Sequence, residues 1–123
     1  MNIAVIADAL QFTVTGSAED LTCEVSGGYV GDLLSDVMAN SKPGQLWITR
    51  QAHQNIVAVA TLKDLAGIVL ALGREPDPET VERAKNEHIP LLISTLSAFD
   101  VAGKLYALLT GNETDDGRKG KNG

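Results

Sequence analysis

The chain has 123 residues, of which 44% are hydrophobic and 21% are charged, and this composition predicts one soluble globular domain. A net charge of −6 and an aromatic content of only 4% argue against nucleic acid and anionic membranes as partners. The single cysteine, Cys23, excludes an intrachain disulfide and a multi-cysteine metal site. No apolar run approaches the ~20 residues that span a bilayer, and the N-terminus lacks the basic region of a signal peptide, so we expect a cytoplasmic protein.

The first part of the chain predicts short elements. Residues 3–10 fit either a strand or a short helix, and the recurring alanines favour the helix. Residues 12–15 predict a strand that ends in a glycine turn, and residues 22–25 predict a second strand. Because Cys23 lies in that second strand without a basic neighbour, we expect its thiol to be buried and unreactive.

A serine and two glycines follow, and they have two interpretations. Ser26, Gly27 and Gly28 predict a loop or a bulge, which either brings the backbone close to a ligand or forms only a structural bend. Beyond them, Asp32 is expected to cap a short helix that continues through residues 33–38.

Three apolar runs in the second half of the chain predict buried strands. They cover residues 46–49, 67–72 and 90–94, and they lack polar alternation, as do strands that are covered on both faces. Residues 55–65 are compatible with a strand on their own, but a helix fits better between two of these runs. The pattern is therefore a series of βαβ units, which form a parallel sheet.

The last two predicted helices have clear ends in the sequence. Asp77 is expected to be an N-cap that precedes Pro78, and Pro90 ends that helix. Ser97 begins the next helix with the spacing of a capping box, and Gly111 follows it at the position of a C-terminal glycine.

The composition of the chain changes after residue 111. Residues 112–123 contain no apolar side chain, so they cannot bury enough surface to offset their ordering entropy. We therefore predict one α/β domain over residues 1–111 and a disordered polar tail over residues 112–123.

Polar side chains gather after two of the predicted buried strands. Arg50, His53 and Asn55 follow the first apolar run at the start of a predicted helix, and Thr95 follows the third run. Parallel sheets bind anions at the carboxyl ends of their strands, where helix N-termini offer free N–H groups. These residues therefore either hold a phosphate or carboxylate, or they are ordinary loop polars, with His53 or Asn55 capping the helix.

Several catalytic and metal-binding signatures are absent from the sequence. The chain has neither of the common glycine-rich phosphate loops and no nucleophile elbow. His53 and His88 have no Cys or His partner at the spacing of metal ligands. We expect no cofactor, no metal ion and no catalytic activity.

As a whole, the chain resembles a stand-alone DRTGG domain, a module similar to the N-terminal domain of HPr kinase/phosphorylase. The resemblance runs through VSGGYVGDLLSDVM (25–38), residues 46–95 and residues 97–109. In place of the family's Asp-Arg-Thr-Gly-Gly signature the chain has Glu-Val-Ser-Gly-Gly at residues 24–28, which keeps the paired glycines. The resemblance implies a three-layer α/β/α fold around a central, mostly parallel sheet, and it supports both helices that the pattern left open.

The resemblance also implies a function that depends on binding. Kinase activity in that family resides in a separate P-loop domain, for which this chain has neither the motif nor the length. We expect a non-catalytic regulatory or assembly module that forms a homo-oligomer, by default a dimer, and binds a protein partner or a small anionic ligand. An exposed Tyr29-Val30 surface or an exposed Trp47 would suit such an interface.

The alternative hypothesis is a nucleotide or phosphometabolite sensor with a pocket at the carboxyl ends of the strands. Its candidate ligand-binding residues are Ser26, Gly27, Gly28, Arg50, His53, Asn55 and Thr95. A small enzyme is the least favoured hypothesis, because no nucleophile–base pair is visible in the sequence.

Overall fold

One five-stranded sheet and five α-helices make up the part of the protein that the computed structural model describes, residues 1–16 and 18–111. A short 3₁₀ turn precedes the second strand at Ala18–Asp20. The elements in chain order are α1 (Ile3–Leu10), β1 (Thr13–Val14), β2 (Gly27–Val30), α2 (Leu34–Asn40), β3 (Gln45–Thr49), α3 (Asn55–Leu62), β4 (Gly67–Leu70), α4 (Pro78–Glu87), β5 (Leu91–Ile93) and α5 (Ala98–Thr110). The predicted tail, residues 112–123, lies outside the described residues.

The sheet has the strand order β1-β5-β4-β3-β2. Strands β2 to β5 are mutually parallel, and β1 joins β5 as an antiparallel edge strand. Helices α2, α3 and α4 connect successive parallel strands and contribute to one hydrophobic cluster, whereas α1 and α5 contribute to the other. The chain therefore has the predicted α/β fold, with a helical layer on each face of a mostly parallel sheet.

Alternation along the buried strands divides the core between the two faces. Successive side chains of a strand point to opposite faces, so Leu46 and Ile48 pack under α1 and α5, while Trp47 packs under α2 to α4. All three side chains are almost completely buried. This two-sided burial explains why the strand appears in the sequence as a continuous apolar run.

Most of the predicted helix ends are confirmed. Ser97 caps α5, because its Oγ accepts a hydrogen bond from the N–H of Asp100, and Gly111 ends the helix with a left-handed φ of 72°. Asp77 occupies the N-cap position of α4 in front of Pro78, but its side chain makes no capping hydrogen bond. The helix expected over residues 3–10 is α1, and the helix expected over residues 55–65 is α3, which ends three residues earlier than predicted, at Leu62.

The strand predicted over residues 22–25 is wrong, since this segment makes only an isolated bridge to Asn2. The loop or bulge predicted at residues 26–28 is wrong as well, because the strand begins there as β2. A Cβ atom on Gly28 would lie 3.0 Å from Cδ2 of Leu105. The missing side chain lets α5 pack directly on this strand, a tertiary contact that outweighs the low strand propensity of glycine.

Two further predictions for the N-terminal half are also wrong. Cys23 is exposed rather than buried, because the segment that carries it is not a strand of the sheet. Asp32 does not cap α2: the cap position is Leu33, with no side-chain hydrogen bond, and the Asp32 carboxylate bonds to the loop after β3 instead. Within the described residues, no helix is long and apolar enough to cross a membrane.

Candidate functional site

Asp32 joins the loop that follows β2 to the loop that follows β3. Its Oδ1 accepts hydrogen bonds from the Thr49 hydroxyl at 2.7 Å and from the Arg50 N–H at 2.9 Å. Its backbone carbonyl accepts a third bond from Nε2 of Gln51 at 2.8 Å. These bonds fix the two loops against each other at the carboxyl edge of the sheet.

The electrostatics of this network favour the ionised carboxyl group. The hydrogen bond from Thr49 and the backbone hydrogen bond from Arg50 hold the pKa of Asp32 below its usual value, against a smaller opposing effect of burial. A carboxyl group whose pKa is lower in the folded than in the unfolded state stabilises the fold above its unfolded pKa. That stabilisation is lost as the pH falls through the folded pKa.

Asp32→Asn is therefore expected to lower the free energy of unfolding at neutral pH by about 1 kcal/mol, the low end for hydrogen bonds to a charged group, because the side chain is exposed. The difference from wild type should shrink below about pH 4, where the wild-type carboxyl group also becomes protonated. Urea unfolding at a series of pH values measures this. Asp8→Asn removes an exposed carboxylate from α1 as a control, and an equal loss in both variants would contradict the assigned role.

The same network already uses hydrogen-bond donors that an anionic ligand would need. The Thr49 hydroxyl and the Arg50 N–H already donate to the Asp32 carboxylate, which stands where a bound anion would accept them. The Arg50 side chain is exposed and makes one long hydrogen bond, from Nε to the carbonyl of Ala71 at 3.5 Å. Its guanidinium group is therefore available to a ligand at this point of the edge.

The imidazole of His53 makes a hydrogen bond at the start of α3. Its Nδ1 accepts a hydrogen bond from the N–H of Asn55 at 3.2 Å, and its carbonyl accepts another from Ile56. Because Nδ1 is the acceptor, the proton of the neutral ring lies on Nε2. The N-cap position of α3 is Gln54, which makes no side-chain capping hydrogen bond, so the expected cap at His53 or Asn55 is wrong, and the His53 ring bonds to the first helical N–H from the residue before the cap.

Thr95 lies at the same edge of the sheet but two strands away. It follows β5, whereas Arg50 follows β3, and neighbouring strands are about 4.8 Å apart. Thr95 lines its own depression of about 240 Å³, which also includes Gln11 and Lys104. Arg50, His53 and Asn55 therefore share the segment that follows β3, with the Asn55 N–H bonded to the His53 ring, and Thr95 lies to one side.

Ser26, Gly27 and Gly28 lie at the amino ends of the parallel strands, opposite the carboxyl edge. Gly27 pairs with Gln45 and Gly28 with Leu46, and a strand advances about 3.3 Å per residue, so the two glycines lie about 13 Å and about 10 Å from the end of β3 at Thr49. The Ser26 hydroxyl donates to the carbonyl of Pro43. One pocket cannot unite these three residues with Arg50, because the predicted loop is in fact the beginning of a strand.

The two glycines line a different cavity, which we call the β2–α5 groove. It has a volume of about 340 Å³ and lies between β2 and α5, on the face of the sheet that α1 and α5 cover. None of its lining residues is charged; they are Ser26, Gly27, Gly28, Val30, Ile48, Ala102, Leu105, Tyr106, Leu109 and Thr110. Sequence analysis missed the contribution of α5, and the glycine pair that permits its close approach was the available signal.

A third cavity, of about 360 Å³, contains the only cysteine and several acidic residues. Nδ1 of His88 lies 3.5 Å from Oδ1 of Asp20 on its wall. Partial desolvation by the surrounding protein, together with the nearby carboxylates of Asp64, Glu24 and Asp20, raises the pKa of the exposed Cys23 thiol. Since the thiolate is the reactive form, these surroundings disfavour Cys23 as a nucleophile.

No family model and no curated protein matches the chain. A solved structure that does match is the crystal structure of the CBS and DRTGG domains of the regulatory region of Clostridium perfringens pyrophosphatase, in complex with the activator diadenosine tetraphosphate. The TM-score is 0.69 at 18% sequence identity, and the match covers 84% of this chain and 44% of that one. The similarity supports a DRTGG-like fold.

Proposed function

We propose that the chain is a non-catalytic regulatory module that acts by binding and forms a homo-oligomer, with a DRTGG-like fold similar to the N-terminal domain of HPr kinase. The observation that carries this proposal is the fold similarity over 84% of the chain to a regulatory region. Fold alone does not determine function, so the surfaces described above have to supply the binding. They offer an uncharged groove beside β2 and a polar edge around Arg50.

The two surfaces suit different molecules. The β2–α5 groove has no charged lining residue and therefore fits apolar surface, which favours a protein partner or another copy of the chain. The carboxyl edge has an exposed guanidinium group on Arg50 and the imidazole of His53, which favour a small anion.

A nucleotide or phosphometabolite sensor is the second candidate function. Its site is the carboxyl edge, with Arg50, His53 and Asn55 at the start of α3 and Thr95 beside them. The regulatory region with the similar fold was solved with a nucleotide activator. The network that commits Thr49 and the Arg50 N–H to Asp32 leaves fewer donors for such a ligand, so this function is second.

Thermal unfolding of the purified chain at two protein concentrations tests the proposal. The ligands are ATP, diadenosine tetraphosphate, acetyl phosphate and glucose 6-phosphate. A ligand that binds only the folded state adds about 2.7 kcal/mol at 100 times its Kd, which raises the midpoint by several degrees. A homo-oligomer is expected to show a midpoint that rises with protein concentration. A midpoint insensitive to every ligand and to concentration would contradict both parts of the proposal.

Arg50→Ala separates the two candidate functions. If the carboxyl edge binds the anion, we expect this variant to lose at least about tenfold in affinity, the effect of one hydrogen bond to a charged group. Its stability should stay within about 0.5 kcal/mol of wild type, as for most surface changes. Isothermal titration of a stabilising ligand measures the affinity, with Arg83→Ala as a control within helix α4, away from the carboxyl edge. Unchanged affinity in Arg50→Ala would remove the sensor hypothesis.

A further inference from the structure

The two outer strands of the sheet, β1 and β2, differ in how well they are protected against pairing with another sheet. β1 forms one edge with only two residues, and very short edge strands are one way in which proteins avoid pairing with another sheet. β2 forms the other edge with four residues, Gly27–Val30, and contains no charged residue and no proline. Neither of these two common edge-protecting residue types occurs in β2.

The register of the sheet identifies the backbone groups on the open side of β2. The Gly31 N–H donates to the carbonyl of Ile48 at 3.2 Å. Because alternate residues of a parallel strand direct their N–H and C=O groups towards the same neighbour, Tyr29 also faces β3. The N–H and C=O groups of Gly28 and Val30 therefore point away from the sheet, where the Gly28 carbonyl accepts one long hydrogen bond, from Nε2 of Gln45 at 3.5 Å.

The groove beside this edge is uncharged and partly apolar. The side chains of Val30 and Tyr106 are 50% and 67% exposed, on either side of the β2–α5 groove. The chain as a whole carries a net charge of −6, so two copies repel each other wherever charged surfaces meet. A groove without charged lining residues is a place where two copies can approach without that repulsion.

We propose that β2 is the interface at which a second copy of this chain binds. The β2 strands of the two copies pair antiparallel around a two-fold axis that passes beside Tyr29, and the two sheets become one continuous sheet of ten strands, five from each copy. This inference rests on the homo-oligomer part of the proposed function and assigns its interface.

The two-fold axis follows from the open groups of the strand. With Tyr29 opposite its counterpart, Gly28 of each copy faces Val30 of the other, and the N–H and C=O groups of both residues pair across the axis. The Tyr29 side chain itself stays with its own copy, where its hydroxyl donates to Oδ2 of Asp36 at 2.6 Å. Trp47, the other residue expected at an interface, is fully buried and takes no part.

A second copy fits this surface better than a small apolar ligand does. A small ligand in the groove would cover Val30 and Tyr106 but would leave the backbone groups of the edge unpaired. A second β2 strand forms hydrogen bonds with those groups. The grooves of the two copies then lie next to each other on the same face of the continuous sheet. An isologous interface also needs the same surface on both copies, which an uncharged strand provides.

Val30→Pro tests the pairing directly. Proline removes the N–H on the open side and puts its ring there, a substitution that edge strands tolerate because the N–H is not needed inside the sheet. Val30→Thr keeps the shape and the N–H as a matched control. In sedimentation equilibrium over a range of concentrations we expect dimers for wild type and Val30→Thr. We expect a dimer Kd at least tenfold higher for Val30→Pro, with an unchanged far-UV circular dichroism spectrum.

Cross-linking provides a second test that does not depend on the folding of the proline variant. Tyr29→Cys in a Cys23→Ser background puts two cysteines opposite each other at a non-hydrogen-bonded antiparallel pair, where the Cα atoms are about 4.5 Å apart, within disulfide range. Mild oxidation is expected to give covalent dimers. Leu72→Cys, at an exposed position after β4, should not cross-link in the same background.

The outcomes distinguish this inference from the proposed function. A wild-type chain that remains monomeric at every concentration would overturn both the interface and the homo-oligomer. A dimer whose Kd is the same in Val30→Pro, and which does not cross-link through position 29, would overturn the interface alone. A dimer that is weakened by proline and trapped by Tyr29→Cys supports both.

Discussion

Trp47→Ala is expected to lower the free energy of unfolding by about 3–5 kcal/mol, the range for truncating a large buried aromatic side chain. Trp47 is fully buried at the centre of β3, under the helices that cover one face of the sheet. Its Nε1 also donates to the carbonyl of Gly31 at 2.8 Å, which ties the end of β2 to the core. The alanine variant therefore leaves a cavity and an unpaired carbonyl acceptor.

Trp47→Phe separates these two contributions. Phenylalanine fills most of the space but cannot donate the hydrogen bond, so we expect a smaller loss, about 1–3 kcal/mol. Because Trp47 is the only tryptophan, urea unfolding has to be followed by far-UV circular dichroism rather than by fluorescence. A loss below about 1 kcal/mol in Trp47→Ala would contradict the central position of this side chain.

Gly44→Ala is expected to cost about 2–5 kcal/mol for two separate reasons. Gly44 has a φ of 81°, and a residue with a Cβ atom pays about 1–2 kcal/mol in this left-handed region. The added Cβ would also lie 2.7 Å from Oγ and 3.3 Å from Cβ of Ser26. Rotation of the Ser26 hydroxyl relieves only the shorter contact, and it breaks the hydrogen bond to Pro43. Overpacking of this kind adds about 1–3 kcal/mol.

Gly73→Ala is the matched control for this prediction. Gly73 has a similar φ of 65°, but nothing lies within 4 Å of the position where its Cβ would be. We expect it to show the backbone cost alone, about 1–2 kcal/mol. Equal losses in Gly44→Ala and Gly73→Ala, measured by urea unfolding, would mean that the Ser26 contact contributes nothing. Adding Ser26→Ala to Gly44→Ala should recover part of the difference, because it removes the closest atom.

The sequence was most informative where structure depends on local chemistry. β3, β4 and β5 were predicted from apolar runs, since a strand covered on both faces has to be apolar throughout. The cap of α5 at Ser97 and the glycine that ends it were predicted from spacing, because these bonds form within one turn of the helix.

The predictions for the N-terminal half were wrong where the structure depends on contacts with distant parts of the chain. The glycine pair that begins β2 has low strand propensity, and only the approach of α5 explains why it belongs to the sheet. Asp32 was expected to bond within its own helix, as a local capping rule predicts. Its carboxylate instead bonds to the loop after β3, a contact between segments that the sequence does not show to be neighbours.

The grouping of the candidate site residues also depends on both local and long-range structure. Arg50, His53 and Asn55 are close in the sequence and begin the same helix, so grouping them needed only the position of one strand end. Whether residues 26–28 belong to the same pocket depends on where β2 begins and in which direction it runs. Because β2 begins at Gly27 and runs parallel to β3, these residues lie at the amino ends of the strands, away from Arg50.

The strand order also affects the order in time in which parts of the molecule can fold. Each of β3, β4 and β5 pairs with the strand made just before it, so this part of the sheet grows by local additions during synthesis. β1 has no such neighbour, because Thr13 pairs with Ile93. The apolar side of α1, with Ile3 and Ile6, packs in the same cluster as α5. α1 and β1 are therefore made well before β5 and α5, the elements they pack against, and until those are made α1 presents exposed apolar surface.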